Sequence, residues 1–505
     1  MKKLLFILFC CISLSAAEAV LQADFDTEAS CGVWSRAAGM SWRPGEGRNG
    51  GGALRFDSSD PEGCRHAGVF LDIDEVRGRG VVLEAWIRAE NVSSSDVVFH
   101  GPKLMLVITG KNGKVYPDQP KEYGSYDWKK FTAFARVPQD AESVRVVIGI
   151  EEVTGTLWFD DLRVTLGPQQ AVWPVVPNGL PVPEKTRYRG VMSGYDLSEE
   201  AFRELGEVWN ANLLRYQIIH RKGDDYSTVE GFRKLIEARL HELDAVLPRA
   251  RKHGIRLVLD MHVSPDSHVT GQISNELSYA PEMQQELIDT WRRIAARYRN
   301  EPAIYGYDLL NEPLESRYVP KPGGGVCWNE LARKIALAIR EVDSETPVIV
   351  QGAPWGGADA LEDFVPLGVP KVIYSFHFYG PAVYTHQGIG FRPFGGEYPG
   401  VYGGEYWDRA RLEKAMSAVI EFQKKYRVPI YVGEFGVVRW APNGEQWLED
   451  MISIFEKYGW DWTFHAFREW DGWSAEHSSD IKDSNRIGDT SRRRVLLRYM
   501  RKNTR

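Results

Sequence analysis

Several signatures are missing from this chain, and each absence removes a class of chemistry. There is no His-Glu-x-x-His pair, and His262 and His268 are explained without a metal, which disfavours a metal hydrolase. The nucleophile elbow Gly-x-Ser-x-Gly and any phosphate-binding glycine loop are absent too, which argues against serine esterase and nucleotide chemistry. No run after residue 19 approaches the ~20 apolar residues of a membrane span. A net charge of −7 with mixed signs leaves no basic patch for nucleic acid and no polybasic membrane surface. Cysteine is scarce, five in 505 residues, and internal repeats are lacking.

What is present begins with a leader. Lys2 and Lys3 precede an apolar stretch, Leu4 to Leu14, and the small-residue end Ala17-Glu18-Ala19. This reads as a secretory signal peptide cut after Ala19, so the mature protein is expected to be a soluble monomer, secreted or in the periplasm or at the cell surface. Of the cysteines, Cys10 and Cys11 lie in the leader. Cys31 and Cys64 are open to two readings, a disulfide in an oxidising compartment or two buried thiols, and Cys327 has no assigned role. The 505 − 19 = 486 remaining residues exceed one ~250-residue barrel, so at least two domains are expected. Seventeen tryptophans suggest flat apolar faces for a partner.

From 20 to 166 the chain shows short apolar runs with glycine and aspartate turns: Ala53 to Phe56, Val69 to Ile73, Val81 to Arg88, Leu104 to Thr109, Lys130 to Val137, Val144 to Ile150 and Leu157 to Val164. Such runs predict an antiparallel all-β sandwich. The closing Thr156-Leu-Trp-Phe-Asp-Asp161-Leu-Arg-Val164, with Asp24-Phe25-Asp26, resembles a carbohydrate-binding module of the jelly-roll type. Modules of that kind often hold a structural calcium near the final strand, which the resemblance places near Asp161; solvent-facing aspartates are the alternative. Residues 167–186, with five prolines before 184, read as a stiff linker.

From 187 to 505 the pattern becomes strand, helix, strand. Eight apolar runs are separated mostly by amphipathic stretches: Arg189 to Gly194, Asn212 to Ile218, Ile255 to His262, Ile304 to Asn311, Pro347 to Gln351, Val372 to Tyr379, Pro429 to Glu434 and Asp461 to Phe467. This predicts an α/β fold, a (β/α)8 TIM barrel whose strand ends carry the chemistry. Glu312, in Asn311-Glu312-Pro313, and Glu434, in Gly433-Glu434-Phe435-Gly436, both close such runs. Two carboxyls converging from strand ends meet the requirement of glycoside hydrolysis, one protonated as acid and one ionised as nucleophile. Asn311 can bond a sugar 2-hydroxyl, and Arg215, ending its own run, can hold a carboxylate ionised.

The Asn311-Glu312-Pro313 strand end with a later Glu434 resembles glycoside hydrolase family 5, the cellulase-like retaining glycosidases. The resemblance implies Glu312 as acid/base on the fourth strand and Glu434 as nucleophile on the seventh. It implies substrate contacts for Arg215, His262, Asn311, His377 and Tyr379, no metal and no cofactor for catalysis. The family usually carries a tryptophan floor for the sugar on the eighth strand. Here His465 stands about there, and Trp470 is the expected substitute. Trp355, Trp407, Trp440 and Trp473 are candidate subsites, and the glycine- and tyrosine-rich loop Gly380 to Tyr406 is expected to shape the cleft. The expected substrate is a β-linked polysaccharide, β-1,4-glucan or mannan. A transglycosylase using the same residues and a non-catalytic glycan-binding scaffold are the alternatives.

Overall fold

The computed structural model describes residues 19–504 apart from 96, 98, 111–112, 118, 139, 170–172, 195–196, 225, 227, 266–276, 278–279, 315–325, 363 and 391. The leader expected over 1–19 lies, up to residue 18, outside the described residues, as does His268. The chain forms two compact units divided between 171 and 172.

The first unit contains strands β1 (Ala19–Ala23), β2 (Met40–Arg43), β3 (Ala53–Ser58), β4 (Cys64–Leu71), β5 (Arg79–Val92), β6 (Gly101–Gly110), β7 (Gly113–Val115), β8 (Gly124–Arg136), β9 (Ala141–Glu151) and β10 (Gly155–Gln169). They make two antiparallel sheets. One runs β2-β3-β10-β5-β8 with β1 also on β10, and the other runs β4-β9-β6-β7. Alternate side chains from both share one core: Leu54, Phe56, Leu83 and Phe159 from the first, Leu104, Leu106, Val146 and Ile148 from the second. That is how a period of two residues builds a sandwich. All seven expected runs lie in strands except for Val137, one residue past β8, and the end of the second run, where Ile73–Val76 is a helical turn capped by the Asp72 side chain. β1, β2 and β7 are short and were not expected; a few residues carry too little alternation to stand out.

Near the final strand, Arg48 bonds the Asp161 carboxylate through Nη2 at 2.7 Å and Nε at 3.1 Å. The Arg48 backbone N–H donates to Asp160 Oδ2 at 2.8 Å. A guanidinium thus neutralises the carboxylate that a cation near Asp161 would need, so these residues do not fit the expected calcium. Cys31 and Cys64 are free thiols, the first half-buried and the second exposed.

The second unit is a closed barrel of eight parallel strands: β11 (Arg189–Ser193), β12 (Leu213–Ile218), β13 (Arg256–Met261), β14 (Ile304–Asp308), β15 (Val348–Gln351), β16 (Val372–Phe378), β19 (Ile430–Phe435) and β20 (Asp461–Phe464). The remaining two, β17 (Gly400–Tyr402) and β18 (Glu405–Trp407), form a hairpin outside it. Each barrel strand falls within one of the expected runs or a residue beyond. Helices cover the outer face of the barrel and side chains of its own strands fill the inside, so its strands read as largely apolar stretches.

Helices span Val229–Lys252, Pro281–Tyr298, Trp328–Arg340, Arg409–Ala415, Ser417–Tyr426, Gly444–Tyr458 and Ser491–Met500. The amphipathic stretch from Trp407 to Tyr426 is divided between one strand and two helices. Trp407 belongs to β18, the Asp408 side chain caps the helix that starts at Arg409, and the chain breaks at Met416. The hairpin turns on Gly403 and Gly404, both at positive φ, as a two-residue turn of this kind demands.

Leu213, Val258, Tyr305, Ile349, Ile373 and Tyr431 plug the barrel near the strand beginnings, with Leu180 and Tyr188 packed against them. Asn178 Nδ2 donates to the Val372 carbonyl at 2.7 Å. Part of the proline-rich segment is therefore docked on the barrel unit and is not a free spacer. Its prolines lack N–H donors but leave carbonyls and side chains free to bond.

Candidate active site

At the opposite end of the barrel, charge gathers around Arg215, third residue of β12 and fully buried. Its Nη1 donates to Glu434 Oε1 at 2.6 Å and its Nη2 to Asp260 Oδ1 at 2.8 Å and Asn311 Oδ1 at 3.0 Å. Its Nε donates to Asp308 Oδ2 at 3.0 Å. The planar fork thus ties β12 to β13, β14 and β19, which a lysine point charge could not do. Burial pushes the Asp308 carboxyl up, to about 6, even against the adjacent guanidinium.

Glu434, on β19, is 5% exposed. Burial acts to raise its pKa, but His377, His465, Arg215 and His262 together win and hold it well below the usual carboxylate range. Tyr379 donates its hydroxyl to Glu434 Oε2 at 2.8 Å, leaving a carboxylate fixed through both oxygens and ionised.

Glu312 follows β14 in a turn, with φ +42°, a left-handed conformation that costs a non-glycine residue roughly 1 kcal/mol or more. Gln351 Oε1 accepts the Glu312 backbone N–H at 3.2 Å, and Trp355 N donates to the Pro313 carbonyl at 3.0 Å. These bonds turn the carboxyl toward the mouth, where its side chain is 25% exposed. His377 Nδ1 sits 2.8 Å from Glu312 Oε1 and 3.6 Å from Glu434 Oε2. Oxygens of the two glutamates and this nitrogen all lie within 4.8 Å of one another.

The other expected residues fall around this pair. Arg215 engages the oxygen of the Asn311 amide, which leaves the NH2 as the donor side for a hydroxyl. His262 Nδ1 bonds Asp260 Oδ2 at 2.8 Å. Burial opposes charge on His262, but Asp260 outweighs it and raises the pKa. His377 lies near the end of β16 and Tyr379 directly follows it.

Trp470 stands further out. It is 42% exposed and meets Trp440 and Trp473 edge-on at 5.8 and 5.9 Å. The indole that reaches the cluster is the buried Trp473, stacked on His465 at 5.5 Å and 5.8 Å from Tyr379. The expected substitute is thus displaced by three residues, because Asp471–Trp473 forms a helical turn that swings Trp473 inward. Trp440 pins its loop by donating Nε1 to the Gln387 carbonyl, whereas Trp355 is 51% exposed.

Sequence reasoning passed over Asp260, Asp308, Gln351 and Glu469. The first two were detectable in principle: an aspartate inside an apolar strand requires a buried cation, and Arg215 was already in view.

The family model for cellulase, glycosyl hydrolase family 5, matches residues 179–471. Endoglucanase C of Acetivibrio thermocellus is 30% identical over 264 residues, covering 46% of this chain and 75% of that protein. Cellodextrinase A of Ruminococcus flavefaciens is 27% identical over 241 residues, covering 46% of this chain and 70% of that one. Among solved structures, endoglucanase Cel5A from Thermotoga maritima aligns over 62% of this chain and 96% of its own, at 25% identity and a TM-score of 0.47. With a family model spanning the barrel from its docked approach segment through the last strand, the chain belongs to glycosyl hydrolase family 5 and is a glycoside hydrolase.

Proposed function

We propose that the protein cleaves a β-1,4-linked polysaccharide, glucan ahead of mannan, by double displacement. The carrying observation is the approach of Glu312 and Glu434 oxygens to within 4.8 Å. So close an approach agrees with the ~5 to 5.5 Å carboxyl separation of retaining enzymes and not with the ~6.5 to 9.5 Å of inverting ones. The preference for glucan rests on the relatives, whose names are endoglucanase and cellodextrinase.

In the first step a Glu434 oxygen bonds the anomeric carbon while the glycosidic bond breaks, and the leaving oxygen takes the Glu312 proton. In the second, Glu312, now a carboxylate, takes a proton from water. That water bonds the anomeric carbon and Glu434 departs as carboxylate, so configuration is retained. Glu434 is held as the ionised partner by Arg215 and the histidines, and Glu312, more exposed, is placed where a leaving group exits.

Glu434→Ala should lower turnover by on the order of 10⁴ or more and, because it deletes one partner of the buried Arg215 cluster, should also lower thermal stability. Glu312→Ala should cost on the order of 10² to 10⁴ on natural glycan yet spare the first step for dinitrophenyl glycosides, which need no acid. Equal losses on both substrates would overturn the acid assignment. Product length from glucan, mannan and xylan then decides substrate and mode of cleavage.

We further propose that the protein is exported and that the sandwich holds glycan. Supporting the second of these, a groove of about 760 Å3 crosses the β4-β9-β6-β7 sheet. It is lined by the exposed rings of Phe70, Phe99 and Tyr116 among polar His66, Lys103 and Arg145, and sugars stack on such faces through their C–H surfaces.

A further inference from the structure

We propose that His465 is a cationic positioning residue, an imidazolium clamped by Glu469 that compels Tyr379 to donate to Glu434. The proposal rests on Glu434 being the nucleophile.

The argument is a count of hydrogens. The Tyr379 oxygen lies 2.8 Å from Glu434 Oε2 and 2.6 Å from His465 Nδ1, and a phenol has one hydrogen to give. An ionised Glu434 can only accept, so the hydrogen goes to it. The contact with Nδ1 is then a hydrogen bond only when Nδ1 is protonated and donates to the phenol oxygen. On the other side of the ring, Nε2 lies 3.3 Å from Glu469 Oε1, again an acceptor, so Nε2 is protonated as well. Two protonated nitrogens make an imidazolium. In the reverse arrangement the phenol gives its hydrogen to a bare Nδ1, and its lone pairs face a carboxylate oxygen at 2.8 Å.

The surroundings agree with the count. Glu469 faces His465 from its own segment, Glu434 from β19 at 3.7 Å and Tyr379 from the residue after β16. Arg215 of β12 opposes the charge, and burial opposes it more, yet Glu469 and Glu434 prevail and raise the histidine. His386, edge-on to Tyr379 and Trp473 at 4.9 Å each, is pushed down to about 4, chiefly by burial, and adds no competing charge at neutral pH. Trp473 stacks on the imidazole and holds its plane. Where the family resemblance leads one to expect an indole floor, this chain has a cation touching the nucleophile's partner.

The consequence is a step in activity with pH that is independent of the general acid. With a dinitrophenyl β-cellobioside the first chemical step needs no proton from Glu312, so kcat/KM reports the state of the nucleophile. We expect kcat/KM of the wild type to fall as pH rises through the raised His465 pKa. In Glu469→Gln, which removes the anion, that fall should move to lower pH by about one unit. In His465→Gln the fall should vanish, leaving a flat profile roughly tenfold or more lower. A wild-type profile without an alkaline fall overturns the proposal even if neither variant folds, as does a fall unmoved in Glu469→Gln or retained in His465→Gln. Trapping with a 2-deoxy-2-fluoro glycoside separates the two ideas. Label on Glu434 with an unmoved fall removes only the role of His465, whereas label elsewhere removes both.

Discussion

Arg215 holds three buried carboxylates at once. It faces three carboxylates, Asp260, Asp308 and Glu434, each within 3.0 Å of a guanidinium nitrogen. Deleting one partner of a buried ionic cluster leaves the others uncompensated, at roughly 3 to 5 kcal/mol. Arg215→Met should therefore lose about that much stability in urea unfolding as well as activity; a variant as stable as wild type would mean the carboxylates find protons or water without cost. The sign of the pH effect at Glu434 can also be worked out. Its folded pKa is depressed, so its contribution is present above the unfolded value near 4.5 and lost as pH falls toward the folded one. The stability difference between wild type and Glu434→Gln should accordingly shift against the wild type as pH drops below about 4.5; no change between pH 6 and pH 3 would contradict the depression.

At the level of elements, the loop from Gly380 to Tyr406 is pinned rather than loose. Tyr398 donates its hydroxyl to Asp450 Oδ2 at 2.8 Å, Tyr384 donates to the Pro442 carbonyl at 2.8 Å, and Gln387 bonds the Gly395 and Gly396 backbone. All three side chains are buried, so the loop is a wall built onto the Gly444–Tyr458 helix and its approach. Tyr398→Phe removes the donor to Asp450 Oδ2 while Gln446 keeps Oδ1, which should cost about 1 kcal/mol or somewhat more. Because that wall flanks the β16 end carrying His377 and Tyr379, KM for glycan should rise more than kcat falls; the opposite split would place the loop's influence on chemistry instead of binding.

For the whole molecule, the proposal of a glycan-holding sandwich makes a prediction that the barrel alone does not. Phe70→Ala with Tyr116→Ala should weaken retention on insoluble β-glucan severalfold, since each sugar stacked on an aromatic face contributes on the order of 1 kcal/mol, while turnover of a short soluble oligosaccharide stays unchanged. Equal binding by wild type and double variant would remove the groove from glycan capture.

Much of this architecture was legible in one dimension. Eight apolar runs at barrel spacing became eight strands, because strands buried on both faces are apolar over most of their length and stand out in the sequence. Glu312, Glu434 and His377 were legible as polar residues at the ends of such runs, whereas Arg215, expected to end its run, lies third of six residues inside β12. Three things were decided only in space. Asp260 and Asp308 acquired meaning from Arg215, 45 and 93 positions away, since ion pairing depends on distance through the barrel and not along the chain. The indole nearest the cluster became Trp473 because a turn after the last strand reoriented it. The proton on His465 follows from where one phenol hydrogen can go, a matter of angstroms between groups on β16, β19 and the segment after β20. Chain periodicity determines which residues are buried on which element, while the charge each buried group can hold is set by neighbours that only the closed barrel brings into reach.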